Sequence, residues 1–146
     1  MYLVDTNVIS AFAPTKAIRN EALADWFDQA SRGLWISVVT SAEIRGGIIK
    51  ARRQGASRKA ELLEEWWHGL EHFYAGRFLA FDLTAAIAAG RMVDAGRALA
   101  VSFEDVAIAA TAEVHSLTVL TDNERHFAPL GIAMHNPLKS LPPLPA

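Results

Sequence analysis

Short apolar runs alternate along the chain with longer stretches whose apolar positions recur at helical spacing. Tyr2, Leu3 and Val4 read as a buried strand that breaks at once into Asp5, Thr6 and Asn7. A helical pattern resumes at Val8, Ile9 and Phe12. Ile18 to Ala30 puts Ile18, Ala22, Leu23, Trp26 and Phe27 on one face, which predicts an amphipathic helix ending at Gly33. Leu34 to Val39 is β-branched and apolar, a second strand. It runs into Thr40 and Glu43, then Ile44, Ile48 and Ile49 at helical spacing. Gly46 and Gly47 there cost about 1 kcal/mol each against Ala and leave room for a close backbone or ligand. After a turn at Gly55, Ser57 to Tyr74 predicts a long helix with a wide stripe of Leu62, Leu63, Trp66, Trp67, Leu70 and Phe73. Two adjacent tryptophans do not easily share one core, so one of them is a candidate partner contact, a broad buried face being the alternative.

Phe78 to Phe81 is a third strand, and Thr84 to Leu99 a helix with Ile87, Met92 and Val93 inward. Ser102 to His115 is another helix, Leu117 to Leu120 a fourth strand, and Ile132 to Met134 a fifth at an edge. The Pro-rich tail from Pro137 to Ala146 continues neither helix nor sheet. Strands alternating with helices predict one α/β domain over 1–146, a parallel sheet covered on both faces.

Composition narrows the function. With 51% hydrophobic and 21% charged residues the chain is not of the disordered kind. No apolar run reaches the ~18 residues of a membrane span, and no secretory leader is visible, so a cytoplasmic location is expected. The absence of cysteine excludes disulfides and thiolate metal sites. A formal charge of −2 is not that of a protein holding nucleic acid by bulk charge, so any such binding needs a local patch. One candidate exists. No acid lies between Glu43 and Glu61, where Arg45, Lys50, Arg52, Arg53, Arg58 and Lys59 supply six of the chain's 14 Lys and Arg. Set against contact with RNA phosphates is a solvated helix end whose cations favour the C-terminal dipole.

Acids recur at the strand–helix junctions. Asp5 follows the first strand, Glu43 opens the helix after the second, Asp105 opens the helix before the fourth, and Asp122 with Asn123 follows the fourth. Each has a plain alternative. Asp5 or Thr6 can N-cap a helix, Thr40 with Glu43 and Ser102 with Asp105 fit capping boxes, and Asp122 with Asn123 suits a turn. In a parallel sheet these junctions share one edge, where ligands bind. Converging carboxylates raise one another's pKa. A divalent cation relieves that repulsion, and an oxygen-only donor set points to Mg²⁺ or Mn²⁺. An aspartyl-nucleophile phosphatase would need an acid at Asn7, and no Gly-rich phosphate loop, GxSxG or HExxH occurs. Among the histidines only His68 and His72 have ligand spacing, better explained by a solvated helix face.

DTNVIS at the start, TSAEIRGG after the second strand, and DVAIAATAEVHSLTVLT leading into TDNERHF resemble a PIN-domain ribonuclease. More closely they are similar to the VapC and FitB-like toxins of type II toxin–antitoxin pairs, over almost the whole chain to Asn136 and Pro137. The resemblance implies a PIN-like three-layer α/β/α fold with a four- to five-stranded parallel sheet, and Mg²⁺-dependent endonucleolytic cleavage of RNA. It assigns Asp5, Glu43 and Asp105 to the metal site, with Asp5 and Asp105 as direct ligands. Asn7 and Thr121 become polar supports, Asn7 having a plain helix cap as its alternative, and Glu43 orients or deprotonates the attacking water. Relatives place an Asp where Asn123 stands; here either Asp122 swings in or Asn123 binds as a neutral ligand. The implied partners are an RNA substrate and a small antitoxin. The antitoxin would block the acidic cleft with a basic side chain and cover Trp66 or Trp67, in a homodimer or a toxin–antitoxin hetero-oligomer. The alternative is a catalytically weak domain that binds RNA or a protein without cutting.

Overall fold

The alternation of strand and helix closes into one sheet with helices on both faces. The computed structural model describes residues 1–146. In chain order the elements are β1 (Tyr2–Val4), α1 (Thr6–Ser10), α2 (Glu21–Ala30), β2 (Leu34–Ser37), α3 (Val38–Arg53) and α4 (Ser57–Phe73). There follow β3 (Phe78–Leu79), α5 (Leu83–Gly96), α6 (Phe103–Val114), β4 (Thr118–Leu120), α7 (Glu124–Phe127) and β5 (Met134–His135). The sheet order is β3-β2-β1-β4-β5, with every pair parallel. Val4 at the end of β1 is in register with Ile36 of β2 and Leu120 of β4. The chain therefore leaves β1 in one direction to β2 and later returns on its other side to β4. That reversal opens a crevice beyond the carboxyl ends of β1 and β4. No helix is long and apolar enough to cross a membrane.

The period-two alternation of β1 divides the core. Tyr2 and Val4 join a cluster with Trp26 of α2, Ile44 and Ile48 of α3, and Trp67 of α4. Leu3, on the opposite face, joins Met92 of α5, Val106 and Ile108 of α6, and Phe127. Beyond β5 the Pro-rich tail is tied back to the first cluster. Trp26 Nε1 donates to the Pro142 carbonyl at 2.7 Å, and the Tyr2 hydroxyl to that of Pro143 at 2.8 Å. Gly33 is required there, since a Cβ on it would lie 2.2 Å from Pro145 Cβ.

Several boundaries and faces differ from the sequence reading. Helix α2 begins at Glu21 because the Asn20 side chain accepts from Leu23 N at 3.1 Å, leaving Ile18 outside and 86% exposed. β2 stops at Ser37, whose hydroxyl accepts from Val39 N at 3.1 Å, so Val38 and Val39 belong to α3 despite their strand propensity. On α5 only Met92 of the three expected residues is buried, Ile87 and Val93 being exposed. The inward face is Ala85, Ala88, Ala89 and Met92, because α5 meets the alanines of α6 through small residues. Trp67 is fully buried, so its face is core and only the partly buried Trp66 reaches outward. Nothing in the chain approaches Gly46 or Gly47.

That last observation gives a stability test. Gly47→Ala replaces a residue costing about 1 kcal/mol in a helix interior at a position with open space around it. Thermal unfolding should show a melting temperature higher by about 2–4 °C; an unchanged or lower value would mean that α3 is not a regular helix at that turn.

Candidate active site

Asp5 is the residue after the last position of β1, beside the crevice. It N-caps α1, its Oδ1 accepting from Thr6 N at 2.7 Å, while Oδ2 accepts from the Thr121 hydroxyl at 2.8 Å. Thr121 is the residue after β4, so both sides of the crevice meet at this carboxylate. The capping reading of Asp5 is thus satisfied, and the same carboxylate stands at the crevice. Asp5 is only 3% exposed. Burial pushes its pKa up to about 7; the hydrogen bonds from Thr121 and Thr6 oppose the shift, and the charges of Asp105 and Glu43 add to it.

Thr40 and Glu43 form no capping box, because Ser37 takes the N-cap one turn earlier. They lie inside α3, three residues apart on one face, and that face meets α1. The Thr6 hydroxyl lies 3.1 Å from Thr40 Oγ1 and donates to Glu43 Oε2. Burial raises the pKa of Glu43, the Thr6 hydrogen bond works against this, and Asp105 and Glu104 push it further up. Asp105 sits in the first turn of α6, where the Ser102 hydroxyl accepts from Asp105 N at 3.1 Å. That half of the expected capping box forms, while the Asp105 carboxylate is used elsewhere, with its Oδ2 3.2 Å from His126 Nδ1.

The fourth position is divided. Asp122 is exposed and accepts a hydrogen bond from Asn7 Nδ2. Asn123 donates its backbone N–H to the Thr121 hydroxyl at 2.9 Å and places its side-chain amide 2.9 Å from His126 Nδ1. Asn7 is left with Oδ1 buried and unpartnered. Asp5, Glu43 and Asp105 are therefore brought into electrostatic contact, and Asp122 and Asn123 are turned to other partners. No three His, Asp or Glu side chains are drawn together as a ready ligand set. A divalent cation nevertheless fits the residues present. The donors are all oxygen, the central carboxylate is held against its preferred ionisation, and an orphaned amide oxygen lies two residues from it.

Sequence reasoning offered Thr6 only as a possible N-cap, whereas it holds Glu43, and it passed over Glu104, which acts on Glu43. It also missed His126, whose signal was its position three residues after Asn123, one helical turn on. The cationic stretch is less free than it reads. Arg45 pairs with Glu71 at 2.7 Å, Arg52 with Glu64 at 2.6 Å and Arg58 with Glu61 at 3.7 Å, all on or beside α4. Lys50, Arg53 and Lys59 have no acidic partner and are exposed. His68 and His72 are exposed on α4, as a solvated face requires.

Comparison with known proteins now bears on this geometry. The PIN domain family model matches residues 2–131. The chain is 37% identical over 140 residues to the plasmid stability protein StbB of Pseudomonas syringae pv. tomato, covering 94% of this chain and 98% of that one. It is 34% identical over 140 residues to the toxin FitB of Neisseria gonorrhoeae, with the same coverage. To the VapC ribonuclease Y4jK of Sinorhizobium fredii it is 30% identical over 141 residues, covering 94% and 97%. Among solved structures, FitAcB from Neisseria gonorrhoeae superposes with a TM-score of 0.78 at 32% identity, covering 94% of this chain and 99% of that one. VapBC-5 from Mycobacterium tuberculosis, a member of the VapBC family of toxin–antitoxin systems, gives 0.58 at 26% identity, covering 92% and 94%. With a family model matched from the first strand past the last acid and relatives spanning nearly their full lengths, this chain belongs to the PIN domain family.

Proposed function

We propose that this chain is a divalent-metal-dependent endoribonuclease, the toxin of a toxin–antitoxin pair. The observation that carries the reading is the buried Asp5 at the β1/β4 crevice, with Glu43 and Asp105 close enough to raise its pKa. The similarity to a VapC ribonuclease and to toxin FitB supplies the substrate class and the biological role. Asp5 and Asp105 would hold Mg²⁺ or Mn²⁺. Such an ion supplies charge stabilisation at a scissile phosphate and lowers the pKa of a bound water. Glu43 would orient or deprotonate the attacking water, a task suited to a carboxylate whose pKa burial has raised. Thr6 fixes Glu43 from one side, Thr121 fixes Asp5, and Asn7, two residues on from Asp5, keeps a buried Oδ1 without a partner. Lys50, Arg53 and Lys59 are the cations of α3 and α4 left free for RNA phosphates.

The similarity to a toxin and to VapBC-5 supports a small antitoxin as partner, placing a basic side chain among the acids. Since Trp67 is core, its apolar side chains have a better seat elsewhere: an open apolar cleft of about 280 Å³ lined by Ile9, Phe12, Phe27, Leu70 and Phe73. The second reading, a domain that binds RNA without cutting, is favoured by the neutral Asn123 and the outward Asp122. Metal-dependent cleavage separates the two.

Asp105→Asn should abolish cleavage. It should also remove the rise in melting temperature on adding Mg²⁺ or Mn²⁺, about 2.7 kcal/mol of stabilisation at a hundredfold excess over Kd. Retention of both would exclude Asp105 from the site. Without metal, pH provides a separate test. Asp5 folds with its pKa raised from 3.8 to about 7, so between these values the folded state binds more protons than the unfolded. Stability in EDTA should therefore fall as pH rises from 4 to 7, by up to about 1.4 kcal/mol per unit. Asp5→Asn should flatten the profile, and urea unfolding across that range measures it. For the RNA contacts, replacing Lys50 and Arg53 together by Ala should reduce the salt dependence of binding by about one unit per lost phosphate contact. The same slope in the double variant would place the RNA elsewhere.

A further inference from the structure

We propose that His126 is a positioning residue for Asp105, an inference that rests on the metal-dependent reading of the site. His126 Nδ1 lies 3.2 Å from Asp105 Oδ2 and 2.9 Å from the Asn123 side-chain nitrogen. One ring nitrogen cannot accept from an amide and donate to a carboxylate at once. The tautomer with a proton on Nδ1 is the one that donates to Asp105 Oδ2. The Asn123 amide, turned by half a rotation, then presents its oxygen to the same N–H. Fixing Oδ2 in this way fixes the plane of the Asp105 carboxylate and with it the direction of the other oxygen.

The imidazole is itself anchored on both sides along the chain. Phe127, the next residue, is fully buried in the cluster beneath the sheet. Glu124, at the start of α7, accepts from Asn136 Nδ2 at 3.1 Å and from Lys139 Nζ. Asn136 is buried, and its Oδ1 accepts from Leu138 N at 3.0 Å. A four-residue helix has little stability of its own, so these contacts, and not helix propensity, hold the ring in place. The Asn-Pro pair that begins the tail thereby acts on the site through α7. Asn123 completes the arrangement as a neutral acceptor that shares the Nδ1 proton with Asp105, where an Asp would set a second negative charge against that carboxylate.

The test is Mn²⁺ binding to the metal-free chain, followed by isothermal titration calorimetry. His126→Asn keeps a donor near Nδ1, His126→Gln moves it toward Nε2, and His126→Ala removes it. His126→Ala and His126→Gln should weaken Mn²⁺ binding about tenfold or more, the range found when a hydrogen-bond partner of a metal ligand is removed. His126→Asn should remain within about threefold of the parent, on the same principle. A merely structural role would lower the melting temperature of all three without this order. Parent-like binding by His126→Ala, or a His126→Asn as weak as His126→Ala, overturns the assignment. Asp105→Asn serves as the reference. If it has lost Mn²⁺ binding while His126→Ala has not, only the role of His126 falls; if it binds like the parent, the metal-site reading falls with it.

Discussion

The carboxylate of Asp5 is buried at the end of the central strand, and most of the local architecture serves to keep it there. Its two oxygens are held by groups from opposite sides of the crevice, the backbone of α1 and the hydroxyl that follows β4. Neither donor carries a charge, and burial wins over both, as the upward pKa shows. A site of this kind is costly in the bare protein and becomes favourable when a cation arrives. On the proposed metal-dependent reading, the fold's stability and its function pull in opposite directions at one residue, a common condition of active sites.

The sheet order determines why this happens at β1 and not at β2. β1 is flanked by β2 and β4, and the chain reverses direction of travel across it. Only there do the helices that follow neighbouring strands diverge and leave the strand ends uncovered. β1 is also three residues long and buried on both faces, with Leu3 in one core cluster and Tyr2 and Val4 in the other. A slip of one residue would exchange the clusters and withdraw Asp5 from the crevice, so the same alternation that builds the core sets the register of the site.

Much of this was legible in the sequence, because strands between helices admit few topologies and place their ends on one edge. What was not legible had local causes. Val38 and Val39 look like strand, but the Ser37 hydroxyl turns them into the first turn of a helix. Ile87 and Val93 look like core, but an interface built from alanines turns the larger residues outward. The run from Arg45 to Lys59 lacks acids in sequence, but not in space. The next helix folds back along α3 and brings Glu71 to Arg45 and Glu64 to Arg52, while Arg58 pairs with Glu61 within α4. Those exposed pairs contribute at most about 1 kcal/mol each, yet they occupy the charge that RNA would need. A window along one helix cannot reveal the partner of an antiparallel neighbour.

The neutral residue at position 123 is best understood through charge. Asp105 and Glu43 already push the pKa of Asp5 up, and Asp105 and Glu104 push up that of Glu43. A further carboxylate on the loop after β4 would deepen that repulsion in the metal-free chain, where no cationic Lys or Arg pairs with these acids. Asn123 avoids it, and its amide instead reaches the ring that faces Asp105. Asp122 stands one residue earlier, exposed to water and hydrogen-bonded by Asn7, where solvent screens it. Exchanging the order of acid and amide across two adjacent positions thus moves one negative charge from the crevice to its rim. On the proposed reading, Asp5 and Asp105 would match a single divalent ion in charge, and the amides of Asn7 and Asn123 add none.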